Sequence, residues 1–109
     1  MDRAAKIKYI SMHHGYDAQS RQCMEEMGEL TQALNKFWRV QLEEGKKSIN
    51  DIPFLTPEEI AIYEEIADVE ICLEHLKAFL ECGETVERKK DEKLDREIKR
   101  INKRRKGTC

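Results

Sequence analysis

The chain has 109 residues, room for one domain with a modest core, and is 39% charged but only 6% aromatic, the balance of a helical protein with long solvated faces. It contains no run of roughly 18 apolar residues and no signal-peptide pattern, so a soluble, cytoplasmic protein without a membrane partner is expected. The net charge of −2 is unevenly spread: residues 88–106 hold 11 Lys or Arg against 4 Asp or Glu, and the remainder holds 9 against 18. Such a basic tail suits nucleic acid, a phosphate-bearing ligand held on the acidic part, or simply water. Cys23, Cys72, Cys82 and Cys109 form no C-x-x-C and no zinc spacing, and reduced thiols are expected.

Four helices and no strands are predicted. The first runs from about Asp2 to His14 and stops at Gly15. The second begins near Asp17, taken as N-cap, and continues through Phe37-Trp38-Arg39 to about Glu44, before Gly45. Residues 45–57 form the only long irregular stretch. Thr56-Pro57-Glu58-Glu59 then opens the third helix, with Thr as N-cap, Pro at the first helical position and Glu59 closing a capping box. That helix should reach about Glu81, with Gly83 after it. The fourth, about Glu84 to Arg105, has few apolar residues (Val86, Leu94, Ile98, Ile101), so its first half should dock and a tail over about 99–109 should stay solvated. The whole is read as one domain, 1–109.

Two acidic pairs stand out, Glu26-Met27-Gly28-Glu29 and Glu65-Ile66-Ala67-Asp68. Residues three apart share a helix face. At about 100° per residue, Glu26 and Glu29 lie roughly 70–130° from the stripe Cys23, Met27, Leu30, Leu34. Glu65 and Asp68 take nearly the same offset from the stripe Ile62, Ile66, Val69, Leu73, Leu76, Leu80. Ala33 shares the first edge, and Ala61 and Cys72 the second, so the carboxylates should be partly buried, where unpaired charge is costly. Brought together, four hard oxygen donors suit Mg²⁺, with Mn²⁺ as substitute. For the pairs to meet in an antiparallel hairpin, the second helix must overhang the third by about seven residues, roughly 10 Å, or end near Arg39–Gln41. Either arrangement leaves the 40–57 segment near the site as a possible lid.

Glu25-Glu26-Met27-Gly28-Glu29-Leu30, followed by Ala33 and Lys36, resembles the first motif of the MazG-like all-α nucleoside triphosphate pyrophosphatases, a group related to the dimeric dUTPases and phosphoribosyl-ATP pyrophosphatases. Glu64-Glu65-Ile66-Ala67-Asp68-Val69 resembles their second motif, and the likeness covers about residues 17–82. It departs in a long connection between the motifs and in the fourth helix, where Lys93-Leu94-Asp95-Arg96 matches only loosely. The resemblance implies an all-α four-helix bundle assembled as a homodimer or homotetramer. It also implies Mg²⁺-dependent cleavage of a nucleoside or deoxynucleoside triphosphate to the monophosphate and pyrophosphate, a house-cleaning role in the nucleotide pool. Carried over by position, Glu26, Glu29, Glu65 and Asp68 would bind metal, and Glu25 would orient or deprotonate the attacking water.

Cleavage between α- and β-phosphates requires charge neutralisation, for which Lys36, Arg39, Lys93 and Arg96 are the candidates. Trp38 is the best candidate to stack on the base, ahead of Phe37, Tyr16 and His13; Phe37 reads better as core. His13, His14 and His75 have no acid at i−3, which argues against a ferritin-like di-iron bundle. The alternative is a helical nucleic-acid-binding or regulatory protein using the basic C-terminal helix. For the enzyme, nucleic acid is not an expected partner.

Overall fold

The computed structural model describes residues 1–43, 45 and 56–107, and among them it has four helices and no strand. These are α1 (Arg3–His14), α2 (Tyr16–Glu43), α3 (Pro57–Leu80) and α4 (Gly83–Gly107). None is long and apolar enough to cross a membrane.

Helix ends follow local chemistry. The Asp2 carboxylate accepts from the Ala5 amide at 2.8 Å and opens α1. Gly15 closes α1 with a φ of 83°, its N–H donating to the Ser11 carbonyl. The Gly15 carbonyl also accepts from Gln19, so α2 starts at once. Asp17 therefore falls inside the first turn of α2 and not at its N-cap, and there its charge still complements the helix dipole. Thr56 caps α3 as expected, its Oγ1 accepting from the Glu59 amide at 3.1 Å. After Leu80 the left-handed residue is Glu81 (φ 50°), and not Gly83. Gly83 instead opens α4, where the Cys82 carbonyl accepts from Val86.

The chain divides into two compact units, residues 1–79 and 80–109. In the first, α2 and α3 run antiparallel. Tyr16 meets Phe79 edge-on at 5.8 Å, Glu29 meets Glu65 midway, and Ala33 and Ala61 line one groove farther along. That register brings Pro57 level with about Phe37, so the last turns of α2, to Glu43, overhang α3. The overhang is thus the arrangement adopted. Of the 40–57 segment expected as a lid, residues 40–43 continue α2, and the rest lies outside the described residues apart from Gly45, Thr56 and Pro57. Ser11 of α1 and His75 of α3, both buried, are hydrogen-bonded and tie the first helix to the third.

The buried apolar side chains are Cys23, Phe37, Ile62, Val69 and Cys72. Here the expected stripes need correction. Met27 and Leu34 remain 43% and 45% exposed, and Ile66, Leu73 and Leu80 remain 40%, 41% and 60% exposed. The inward arc of each helix is turned toward its acidic pair. On α2, an arc of buried or half-buried positions runs Gln19, Cys23, Glu26, Leu30, Ala33, Phe37, at alternating steps of four and three residues, with Ser20 beside its start and Val40 and Gln41 continuing past its end. On α3, the arc runs Ile62, Glu65, Val69, Cys72, His75, with Glu58 and Glu59 half-buried before it and Leu76, Lys77 and Phe79 half-buried at its end. Glu26 and Glu65 are therefore members of the inward faces and not of their flanks. In the second unit α4 is exposed from Glu87 to Arg105.

Candidate functional site

Glu26 and Glu29, on successive turns of α2, meet Glu65 of α3. Each offers one carboxylate oxygen, and these three oxygens lie within 4.8 Å of one another. Gln22, one turn before Glu26, donates to Glu26 Oε1 at 2.7 Å and fixes that carboxylate. The other oxygen, Glu26 Oε2, is buried without a hydrogen-bond partner among the described residues, and so is Glu65 Oε2. Buried carboxylate oxygens lacking a donor are costly. Three acids with two such oxygens form a donor set that fits a hard divalent cation.

The electrostatics agree with that geometry. Glu29 is held above its ordinary pKa of 4.5 first by the charge of Glu26 and then by that of Glu65. Among the described residues no Lys or Arg is ion-paired to the cluster; ion pairs elsewhere include Lys77–Glu74, Lys90–Glu87 and those of Glu97 with Arg100 and Arg104. Asp68, expected as the fourth ligand, is exposed and stands outside the group. The helix register brings it level with Glu26, and both carboxylates help raise the buried Cys72 thiol. That thiol is pushed up to about 11, mainly by burial and next by Cys23. Asp is one methylene shorter than Glu, so from the same backbone level its carboxylate stops short of the shared space. Glu25 is exposed, beside Glu26 in sequence and outside the three-carboxylate group.

From the cluster a groove of about 560 Å³ runs along the two helices, lined by Glu29, Glu65, Gln32, Lys36, Arg39 and the small side chains Ala33 and Ala61. Acidic and basic groups thus lie in sequence along one channel, with the alanines leaving room between the helices. Gln32 and Arg39 also line an adjoining hollow of about 450 Å³ with Asn35 and Trp38. Trp38 is 54% exposed there, an accessible face for stacking. Phe37 is core. Tyr16 is engaged with Phe79, and His13 packs edge-on against His14 at 4.8 Å, so neither belongs to this groove. Lys93 and Arg96 are exposed on α4, in the other unit.

Three participants were not singled out from the sequence: Gln22, Gln32 and Asn35. The i,i+4 spacing of Gln22 and Glu26 carried a signal for the first. Gln32 and Asn35 lie on the arc from Glu29 to Arg39, but uncharged amides on a helix carry no pattern of their own. Comparison with known proteins gives no match: no family model, no curated protein and no solved structure is similar to this chain.

Proposed function

We propose that the protein is a Mg²⁺-dependent nucleoside triphosphate pyrophosphohydrolase of the MazG-like kind, releasing a nucleoside monophosphate and pyrophosphate. The observation that carries this reading is the meeting of Glu26, Glu29 and Glu65, with two buried unpartnered oxygens, at the end of a groove that also presents Lys36 and Arg39. A lone acidic cluster is equally at home on a solvated surface; one that adjoins two cations and an exposed Trp suits a ligand that is anionic at one end and aromatic at the other.

In this reading Glu26, Glu29 and Glu65 would hold the ion, and Asp68, the fourth ligand that the motif implies, stands outside the group. When bound, Mg²⁺ neutralises phosphate oxygens and lowers the pKa of a coordinated water. The chain's own residues do the rest. Lys36 and Arg39 offset the charge that grows on pyrophosphate as the α,β-bridging P–O bond breaks and water oxygen bonds to the α-phosphorus. Trp38 stacks on the base, and Asn35 and Gln32 border it. Glu25 is assigned to the attacking water on the motif alone. The assembly is a homodimer or homotetramer.

A panel of nucleoside and deoxynucleoside triphosphates, assayed for pyrophosphate release with Mg²⁺ and with chelator, tests the reading. Mg²⁺-dependent release from at least one of them is expected. Lys36→Ala and Arg39→Ala should each lower kcat/KM by roughly 10²-fold or more, the scale of losing one charge-stabilising contact. Absence of release from every member of the panel would overturn it.

A further inference from the structure

Six of the eleven Lys and Arg residues of α4 share one side of the helix. At about 100° per residue, Lys89, Lys93, Arg96, Arg100, Lys103 and Arg104 fall within about 50° of one line along the helix, repeating at steps of four and three. Each is exposed. Leu94, Ile98 and Ile101, which are 63%, 57% and 45% exposed, form a second line about 140° round the helix. Glu84, Glu87, Asp91 and Asp95 lie on the half away from the row. Of the two acids flanking it, Glu97 reaches back to Arg100 at 3.4 Å and to Arg104 at 3.8 Å. α4 therefore has a cationic row on one side and an apolar strip nearly opposite.

We infer that this row is a binding surface for the phosphate backbone of a double-stranded nucleic acid. From Lys89 to Arg104 it spans about 22 Å, a length of duplex that carries about 13 phosphates, more than enough to face every cation in the row. Charge complementarity selects a polyanion, and the arrangement selects the kind. A helix that binds an anionic membrane inserts its apolar strip with cations flanking it at headgroup level. On α4 only Lys90 and Arg105 border the apolar strip, and the six-residue row lies on the other side, so presenting the row turns the strip away. A single-strand binder needs aromatic side chains on which bases stack, and α4 has no Phe, Tyr or Trp. A straight row of Lys and Arg without base-reading partners binds backbone, independent of sequence. The row shares no residue with the proposed hydrolytic site and does not depend on it.

The test is fluorescence anisotropy of the full chain with labelled DNA and RNA duplexes, the corresponding single strands, and, by flotation, phosphatidylserine vesicles. Duplex binding should weaken with salt, log K falling against log salt with a slope of about −5 for six phosphate contacts. The triple variant Arg100→Ala, Lys103→Ala, Arg104→Ala should reduce that slope to about half, with helical content by circular dichroism unchanged. Failure to bind either duplex at low salt would overturn the inference. So would an unchanged slope in the triple variant, or vesicle binding stronger than duplex binding.

Discussion

Glu29 concentrates the cost of the carboxylate cluster. Its pKa is raised by Glu26 and Glu65, so the folded state holds the proton more tightly than the unfolded chain does. Stability from this group is complete only below the unfolded pKa and is lost as pH rises through the folded one. At pH 7.5 the repulsion is fully present. Glu29→Gln should therefore melt higher than the natural chain in chelator, and should lose most of the rise in melting temperature that millimolar Mg²⁺ gives the natural chain. A variant that melts lower in chelator would mean that Glu29 is held by a basic partner. Glu81 gives a second check at this scale. Its φ of 50° is a conformation that L side chains adopt at a cost of about 1 kcal/mol and glycine adopts freely. Glu81→Gly should raise thermal stability modestly, and a fall would show that the Glu81 side chain makes a stabilising contact.

Among the elements, α2 and α3 were the most legible in the sequence, because their acidic spacing, their small flanking residues and the Thr56 cap are all local signals. Their rotation was not. Apolar stripes locate the centre of a buried face only when apolar burial alone decides it, and here Glu26, Glu65, Gln19 and His75 share the inward arcs with Cys23 and Val69. The shared offset of the acidic pairs was visible, but whether Asp68 could reach as far as Glu65 depends on side-chain length and helix separation, which no periodicity reports. The boundary between α3 and α4 fell within one residue of expectation, although its left-handed residue is Glu81: glycine marks where left-handed backbone is cheap, not where it must occur. The α1–α3 seam was invisible, since Ser11 and His75 lie far apart in the chain and neither belongs to a motif. It has a measurable consequence. Burial lowers the His75 pKa below its usual 6.5, with His14 adding in the same direction and the Ile7 backbone opposing. The unfolded chain then takes up a proton near pH 6.5 that the folded chain refuses, so this stability is complete above about pH 6.5 and is lost as pH falls through the folded pKa. Denaturant titrations between pH 7.5 and 5 should show stability falling more steeply in the natural chain than in His75→Gln. Equal slopes would contradict the buried, neutral imidazole.

For the molecule as a whole, the small core and the exposed large side chains point the same way. Ile66, Leu73 and Leu80 on α3, and Met27, Leu34 and Trp38 on α2, each keep at least 40% of their surface exposed. Apolar surface on this scale is commonly covered by a partner, and self-association is the simplest source of one. Sedimentation at micromolar concentration should give a dimer or tetramer, and Ile66→Glu with Leu73→Glu should dissociate it while leaving helical content intact. A stable monomer of the natural chain would refute self-association without touching the carboxylate cluster. If Glu26, Glu29 and Glu65 form a divalent-cation site, calorimetric titration of the metal-free protein with Mn²⁺ will detect it. Saturable binding is predicted for the natural chain, and at least a tenfold weaker affinity, about 1.4 kcal/mol, for Glu65→Gln. No saturable binding by the natural chain, or the same affinity in Glu65→Gln, would contradict it.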